Sequence, residues 1–239
     1  MTTPLYLNDP YQTNAEGRVT GITEQGGIIL DQSLFYATSG GQPGDGGTLI
    51  WDDQKIEITT TIKGDGGSFV LIPAEGTARP AIGRAVTQKI NWDLRYAHMR
   101  MHTALHLLSV VIPLPVTGGA ITAIKGRLDF DMPEAPDDKE ALTVMLNAII
   151  ARNFDITERW ISDAELDANP GLVKTMSVQP PRGAGRIRLV RIGDVTEQVD
   201  LQPCGGTHVA KTGEIGRVSI SKVEKKGKQN RRVHLVFQE

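Results

Sequence analysis

Residues 91–110, NWDLRYAHMRMHTALHLLSV, mark the point where the periodicity of the chain changes. From Trp92 and Tyr96 onward, apolar and aromatic side chains recur at spacings of three and four, the period of one helix face. Pro113 ends this pattern, because proline removes a backbone donor and disrupts a helix. The stretch therefore predicts a helix from about Asp93 to about Val110.

The residues before this helix are organised as short strands. Apolar and β-branched runs alternate with Gly, Asp and Asn, and none of them has a helical period. The runs are Arg18–Ile22, Gly27–Asp31, Gly47–Trp51, Lys55–Ile62, Ser68–Ile72 and Gly83–Val86. Regularly spaced short strands with turn residues between them favour a small barrel or sandwich. We therefore predict a small N-terminal β-barrel-like domain over residues 1–88.

The first helix and the residues after it predict a second domain of mixed composition, residues 89–239. Gly118–Gly119 is interpreted as a turn. A second helix is predicted over Lys139–Asn153, after acidic residues 137 and 138, and a short third helix follows the capping-box pattern Ser162–Glu165. Predicted strands are Gly126–Phe130, Asp155–Ile161, Arg186–Ile192, Glu197–Leu201, Val218–Val223 and Arg232–Phe237. The fold class is thus α+β, with a two-layer α/β second domain and an antiparallel sheet.

Composition excludes several classes of protein. The chain of 239 residues has one Cys, so it cannot form an internal disulfide. Its most apolar stretch, Leu107–Val116, contains prolines and is far shorter than the roughly 20 apolar residues that span a membrane. The first residues, MTTPLYLNDP, lack the basic start and apolar run of a secretory signal. We therefore predict a cytoplasmic protein without a membrane partner.

Charge is distributed unevenly along the chain. The net charge is −2, yet residues 172–239 carry 13 basic and 6 acidic side chains. The densest basic segment is KVEKKGKQNRR, residues 222–232. Such a cluster fits a surface that binds a polyanion, and it equally fits lysines that protect an exposed sheet edge. Charge alone does not separate these two interpretations.

The histidines and the single cysteine supply two short motifs. His102 and His106 lie four residues apart in the predicted helix, so their side chains are neighbours on one face. Cys204 and His208 bound CGGTH, whose two glycines disfavour a helix and indicate a loop. Thiolate and imidazole both suit zinc, and four such groups complete a tetrahedron. The two motifs together predict one zinc site.

Other interpretations of these residues stay open at this point. Metalloproteases of the H-E-x-x-H type need a glutamate as general base, but Thr103 follows the first histidine here. A thiol hydrolase would use Cys204 as a nucleophile activated by His208. A buried structural thiol with unrelated histidines is the third alternative. The metal site is preferred because it also gives His102 and His106 a role.

A third motif is the glycine-rich stretch FYATSGGQPGDGG, residues 35–47. It lacks the G-K-[ST] of a P-loop and does not fit G-x-G-x-x-G, so it does not predict a nucleotide site. Glycines here permit a tight turn or a close approach of the backbone to a ligand or another domain. The pattern alone favours the turn. Gln42 is the one amide side chain within it.

These motifs, in this order, closely resemble the alanyl-tRNA editing proteins, the AlaX family, which are related to the editing domains of alanyl- and threonyl-tRNA synthetases. The resemblance rests on FYATSGGQPGDGG, RMHTALHLL, LQPCGGTHV with the following TGEIG, and KGKQNRR, and it covers nearly the whole chain. The glycine-rich motif makes the chain similar to the medium-length members. The family's HxxxH and CxxxH zinc motifs correspond to His102, His106, Cys204 and His208.

The resemblance implies an enzyme, a zinc-dependent aminoacyl-tRNA deacylase with one Zn²⁺ per chain. Its expected reaction is hydrolysis, in trans, of the ester that joins Ser or Gly to alanine tRNA. Gln42 and Thr103 are the candidate catalytic contacts, at a site where the first helix of the second domain, the Cys204 loop and the glycine-rich loop converge. The basic residues expected to contact phosphates at the tRNA acceptor end are Lys222, Lys225, Lys226, Lys228, Arg231 and Arg232.

Two alternatives to this function remain. The same chemistry would serve another mischarged tRNA, of the threonine type, because the threonyl editing domains share the zinc motifs. A zinc-containing module that binds tRNA without cleaving an ester would have the same basic segment and ligands. The sequence indicates no obligate protein partner in either case.

Overall fold

In a computed structural model that describes residues 1–136, 138–176 and 185–238, the chain divides into two units, Met1–His98 and Met99–Glu239. The division lies later in the chain than the boundary predicted between residues 88 and 89, and the assignment of those two domains stays a prediction. Within the described part of the chain, no helix combines the length and apolar character needed to cross a membrane.

The first unit is built around a closed barrel. Its strands are β1 (Thr3–Pro4), β2 (Asn14–Ile22), β3 (Ile28–Leu30), β4 (Gln32–Ser33), β5 (Gly47–Trp51), β6 (Gln54–Lys63), β7 (Phe69–Pro73) and β8 (Ala85–Ile90). The barrel order is β2-β3-β7-β6-β5-β8, and β1 pairs with β4 in parallel. On β6, Ile56 and Ile58 are buried while Glu57 between them is exposed, the alternation that fills a barrel interior. The predicted barrel-like fold is confirmed.

The second unit combines helices with antiparallel sheets. Its elements are α1 (Trp92–Val111), which begins in the first unit, β9 (Val116–Ile121), β10 (Lys125–Asp131), α2 (Lys139–Ala151), β11 (Ile156–Ile161), α3 (Asp163–Asp167), β12 (Ile187–Gly193), β13 (Gln198–Pro203), β14 (Val218–Lys226) and β15 (Asn230–Phe237). The sheets have the orders β14-β15-β10-β9 and β11-β12-β13. This α+β architecture is the one predicted.

Helices α1 and α2 contact the larger sheet in different ways. Helix α1 packs over β10 at Gly126, where a Cβ atom would lie 2.7 Å from Met101 Cγ. Helix α2 lies along the edge strand β14. There the amide of Asn147 donates to Val218 O at 2.8 Å and accepts from Val218 N at 3.1 Å, and Thr143 Oγ1 accepts from Ile220 N. Side chains of α2 thus provide hydrogen-bond partners for backbone groups of the edge strand.

Helix starts agree with the capping patterns in the sequence. Asp138 caps α2, since its carboxylate accepts a hydrogen bond from Ala141 N at 2.8 Å. Ser162 and Glu165 form the predicted capping box of α3. Asp137, which we also placed at the start of α2, lies outside the described residues.

The predicted turn at Gly118–Gly119 is wrong. Both glycines lie inside β9, opposite Asp129 and Leu128 of β10. Glycine signals a turn chiefly where the backbone needs a positive φ, and neither of these glycines adopts one. They continue the strand instead.

Candidate metal-binding site

Four side chains of the second unit converge on one point. His102 and His106 lie one turn apart on α1, and Cys204 and His208 lie in the loop after β13. One ligand atom from each lies within 4.8 Å of the other three. Cys204 Sγ is 3.5 Å from His102 Nε2 and 3.2 Å from His208 Nε2. The structure thus brings together all four residues predicted as ligands.

The donor set fits a zinc ion. With Zn–N distances of about 2.0–2.1 Å and Zn–S distances of about 2.3 Å, a tetrahedral site separates its ligand atoms by about 3.5 Å. The sulfur–nitrogen distances at Cys204 are close to that value. One thiolate and three imidazoles are also the ligand types that zinc prefers.

Burial and neighbouring charges set the protonation of these ligands. Burial raises the pKa of the Cys204 thiol, but the neighbouring His102 holds it well below its ordinary value. Burial, together with the charge of His102, lowers the pKa of His208 to about 3. Burial also disfavours a charged His106, yet hydrogen bonds with Asp200 and Cys204 raise its pKa to about 9. Cys204 and His208 therefore have the protonation states that metal binding requires, while His106 releases a proton when it binds.

Buried Arg188 of β12 shapes the loop that carries Cys204 and His208. Its Nη1 donates to the carbonyl oxygens of Cys204, at 3.0 Å, and Gly206, at 2.8 Å. Its other terminal nitrogen pairs with Glu158. Two carbonyls of the CGGTH loop are therefore fixed by one planar guanidinium.

Behind the ligands lies a polar group of residues that the sequence analysis missed. Asp200 Oδ2 is 3.0 Å from His106 Nδ1, Gln202 Nε2 is 2.8 Å from the same carboxylate oxygen, and Lys174 Nζ is 2.5 Å from Oδ1. Asp200, Gln202 and Cys204 alternate along β13 and the residue after it, so the period of a strand places them on one face. That spacing was the available signal for Asp200.

Thr103, predicted as a catalytic contact, lies against His208. Its buried hydroxyl is 2.9 Å from Met99 O and 3.1 Å from His208 Nδ1. Because the hydroxyl gives its one proton to the Met99 carbonyl, His208 Nδ1 donates to it and leaves Nε2 for a ligand. These contacts indicate that Thr103 orients His208, and its contact with a substrate stays a prediction.

The glycine-rich motif is a tight turn in the first unit. Ser39 and Gln42 exchange backbone hydrogen bonds, and Gly40 and Gly41 between them have φ of 56° and 83°. Positive φ at both central residues is typical of a type I′ turn, which favours glycine. The Gln42 side chain is buried. Its role as a catalytic contact stays a prediction.

The end of the motif is held by a buried ion pair within the first unit. Asp45 accepts from the backbone N–H of Tyr36 at 2.6 Å and from Arg95 Nε at 2.9 Å. Arg95 also donates to the carbonyls of Leu34 and Pro10, and its side chain is fully buried. A buried guanidinium with this many acceptors avoids the cost of an unpaired charge. Asp45 and Arg95 therefore fix both ends of the chain segment that contains the turn.

The basic side chains of residues 222–232 divide into two groups. Lys222 pairs with Glu224, and Arg232 Nε is 2.7 Å from Asp129 Oδ1. Arg231 donates to a backbone carbonyl. These three cations are thus already engaged with the protein itself.

Lys225, Lys226 and Lys228 form the second group. They are exposed at the end of the β14–β15 hairpin, on either side of Gly227. An exposed ammonium on a flexible stem can reach a phosphate without first breaking an ion pair. These three lysines are therefore the strongest of the six predicted tRNA contacts, all of which stay predictions.

Two family models match parts of the chain. The model described as "Threonyl and Alanyl tRNA synthetase second additional domain" matches residues 187–234. The model described as "tRNA synthetases class II (A)" matches residues 10–94. The first range contains Cys204 and His208, and the second contains the glycine-rich turn.

Individual relatives match nearly the whole chain. Alanyl-tRNA editing protein AlaX-M of Methanosarcina acetivorans is 34% identical over 99% of this chain and 99% of its own length. AlaX-M of Saccharolobus solfataricus is 32% identical over 98% of each chain. The alanine–tRNA ligase of Archaeoglobus fulgidus is 35% identical over 93% of this chain, which corresponds to 24% of the ligase.

Proposed function

Because the chain belongs to the alanyl-tRNA editing proteins, we propose that it hydrolyses, in trans, the aminoacyl ester of alanine tRNA mischarged with Ser or Gly. The observation that carries this proposal is the convergence of His102, His106, Cys204 and His208 within one group of ligand atoms. The relatives that span the chain carry the name of editing proteins. Charged tRNA is a cytoplasmic substrate, and we propose the cytoplasm as the place of action.

A zinc ion at this site would supply orientation of the ester, and it would polarise the carbonyl only through a fifth coordination position. His102, His106, Cys204 and His208 would hold it. Four protein ligands complete a tetrahedral coordination sphere, so we assign the site chiefly to orienting the 3′-terminal aminoacyl-adenosine for attack by a nearby water. The ligand atoms are themselves held in place, because Thr103 orients His208 and Arg188 fixes the loop.

Selectivity for Ser over Ala follows from unpaired polar groups. The active site of a synthetase that binds Ala distinguishes it from an amino acid one methylene larger or smaller by only ~1–3 kcal/mol. An editing site that hydrogen-bonds the Ser hydroxyl leaves its own polar groups unpaired when Ala enters, and an unsatisfied buried group costs about 1–3 kcal/mol. Gln42 is our first candidate for this contact and Thr103 the second.

The Gln42 assignment has a direct test. Gln42→Ala should lose deacylation of Ser-tRNA while it keeps metal content and fold, because we assign Gln42 to the substrate and not to the metal. Gln54→Ala makes the same chemical change at an exposed position of β6, and it serves as the matched control. A wild-type rate for Gln42→Ala would remove Gln42 from the site.

The central experiment is a deacylation time course on alanine tRNA charged separately with Ser, Gly and Ala. It is run on the zinc-loaded protein, after chelation, and after zinc is restored. We expect rapid loss of Ser or Gly, sparing of Ala, and recovery of the rate with zinc. Full activity in a verified metal-free protein, or no cleavage of any of the three by the loaded protein, would contradict the proposal.

A second candidate keeps the chemistry and changes the tRNA. The family model over residues 187–234 covers threonyl as well as alanyl synthetases, which favours threonine tRNA charged with Ser as the next substrate. Adding this substrate to the time course separates the two. If the loaded protein binds both tRNAs and cleaves neither, a non-catalytic tRNA-binding module is the better description.

A further inference from the structure

The metal-binding site borders β13 through Asp200, which contacts His106. Asp200 is 2% exposed, and its two carboxylate oxygens have different neighbours. Oδ2 lies 3.0 Å from His106 Nδ1 and 2.8 Å from Gln202 Nε2, and Oδ1 lies 2.5 Å from Lys174 Nζ. A buried carboxylate with three donors remains ionised without an uncompensated charge.

The hydrogen-bond donors and acceptors around His106 determine which of its ring nitrogens carries the proton. An ionised carboxylate only accepts, so the 3.0 Å contact requires a proton on Nδ1. Gln202 Nε2 lies 3.1 Å from the same ring nitrogen, and both groups point their protons to Asp200 Oδ2 as a shared acceptor. Nδ1 is thereby occupied, and Nε2 is the ring nitrogen left to bind a metal.

We propose that Asp200 is a positioning residue, which fixes the ring orientation and the tautomer of His106 so that Nε2 faces the metal-binding site. The proposal rests on the proposed zinc site and adds a carboxylate–histidine–metal arrangement to it. Partners of this kind orient a ligand and increase its basicity, and their loss typically lowers metal affinity about 10- to 100-fold. Lys174 and Gln202 act on Asp200 rather than on the metal.

A structural ion pair between Asp200 and Lys174 is the competing explanation. Lys174 lies in a segment beside β9, where its carbonyl accepts from Val116 N at 3.0 Å. An ion pair that only ties this segment to β13 would affect the free energy of unfolding and leave the coordination of a bound ion unchanged. The two explanations therefore differ in what a metal probe detects.

The test measures Co²⁺ binding to the full chain, by titration and by the visible absorption of the bound ion. Asp200→Asn keeps an oxygen that accepts from Nδ1 but removes the charge, and Asp200→Leu removes the acceptor. Asp155→Asn is the matched control, because its carboxylate is exposed and pairs with Lys211. Lys174→Met removes the ion pair while it leaves the contact between Asp200 and His106.

We expect Co²⁺ affinity to fall by about 10- to 100-fold in Asp200→Leu and by less in Asp200→Asn, with an altered absorption band in both. Asp155→Asn should match the wild type, and Lys174→Met should lose less affinity than Asp200→Leu. If Asp200→Leu does not fold, Asp200→Ala removes the same acceptor and takes its place. Wild-type Co²⁺ affinity and spectrum in a folded variant that lacks the acceptor, with a lower stability, would overturn the proposal in favour of the structural ion pair.

This readout is independent of the reaction. A wild-type protein that binds Co²⁺ but cleaves no charged tRNA would contradict the proposed function, while the comparison of variants would still decide the role of Asp200.

Discussion

Arg188 shows how one buried side chain determines the shape of a ligand loop. Backbone carbonyls in a loop need donors, and the CGGTH loop obtains two from the same guanidinium nitrogen. A lysine in this place has a single nitrogen and lacks the planar geometry that reaches the loop and Glu158 together. The position of Cys204 thus depends on the type of cation as well as its charge.

Arg188→Lys should therefore weaken both the loop and the metal site. An unpaired buried group costs about 1–3 kcal/mol, and we expect a loss of that size in the free energy of unfolding, together with weaker Co²⁺ binding. Arg186→Lys is the matched control, because Arg186 stacks on the ring of the half-exposed Trp160, a contact worth about 0.5–1 kcal/mol at an exposed site. Denaturant titration and Co²⁺ titration measure the two effects. Equal Co²⁺ affinity in both variants would show that Arg188 does not shape the site.

Among the elements, the β14–β15 hairpin carries two kinds of charged residues, those in ion pairs on its strands and exposed lysines at its tip. Its exposed face carries an ordered network, in which Glu224 contacts Lys222 and His234. Its tip carries Lys225, Lys226 and Lys228, which the network leaves exposed. The network and the tip therefore predict different responses to pH and to salt.

The network predicts a pH effect on stability. Hydrogen bonds from Lys222 and His234 lower the pKa of Glu224 from 4.5 to about 2. Because the folded pKa lies below the unfolded value, the stabilisation is complete above pH 4.5 and is lost as the pH falls towards 2. Glu224→Gln should be less stable than the wild type at pH 7. The difference in the free energy of unfolding should become smaller as the pH falls from 4.5 towards 2. Urea midpoints at a series of pH values test this, and a constant difference would assign the effect to packing.

The tip predicts a salt effect on tRNA. Lys226→Glu with Lys228→Glu should raise the KM for charged tRNA and lower the salt dependence of binding by about one unit of slope per lysine. Metal content should not change. The double variant Lys55→Glu with Lys63→Glu changes net charge equally at exposed positions of β6 and serves as the control. If the double variant at the tip and the wild type have equal KM values at low salt, the two tip lysines protect the sheet edge and do not bind tRNA.

Strand and helix periods account for what was predictable at this scale. Gly47–Trp51 matches β5, and the helix predicted from about Asp93 to about Val110 differs from α1 by one residue at each end. The hairpin strands were predicted too short, since β14 continues through Lys226. Its last residues have weak strand propensity, and the pairing of Lys225 with Arg231 and of Lys226 with Asn230 keeps them extended.

For the whole molecule, spacing along the chain determined what could be predicted of the site. The pairs His102/His106 and Cys204/His208 each carry a local signal, and chemistry joins them across about a hundred residues. Lys174 and Arg188 carry no such signal, because each acts on a residue far along the sequence. Only folding brings these supporting side chains to the ligands.

Metal binding should also stabilise the molecule. A ligand present at about 1,000 times its Kd, and bound only by the folded state, contributes about 4.1 kcal/mol. Calorimetry should therefore show that the midpoint temperature of unfolding rises when zinc is added and falls after chelation. His102→Ala should abolish this response, whereas His234→Ala, which removes a contact with Glu224, should retain it. A zinc response of wild-type size in His102→Ala would place the ion elsewhere.

The pairing of α2 with β14 has a consequence for solubility. The Asn147 amide donates to and accepts from Val218, as the peptide group of a neighbouring strand would. For a second chain that would extend the sheet at Val218, both backbone groups are already satisfied, and Thr143 accepts from Ile220 two residues further on. Helix α2 therefore protects the edge strand β14 against repeated strand addition by other molecules. This protection depends on the uncharged side chains of Asn147 and Thr143.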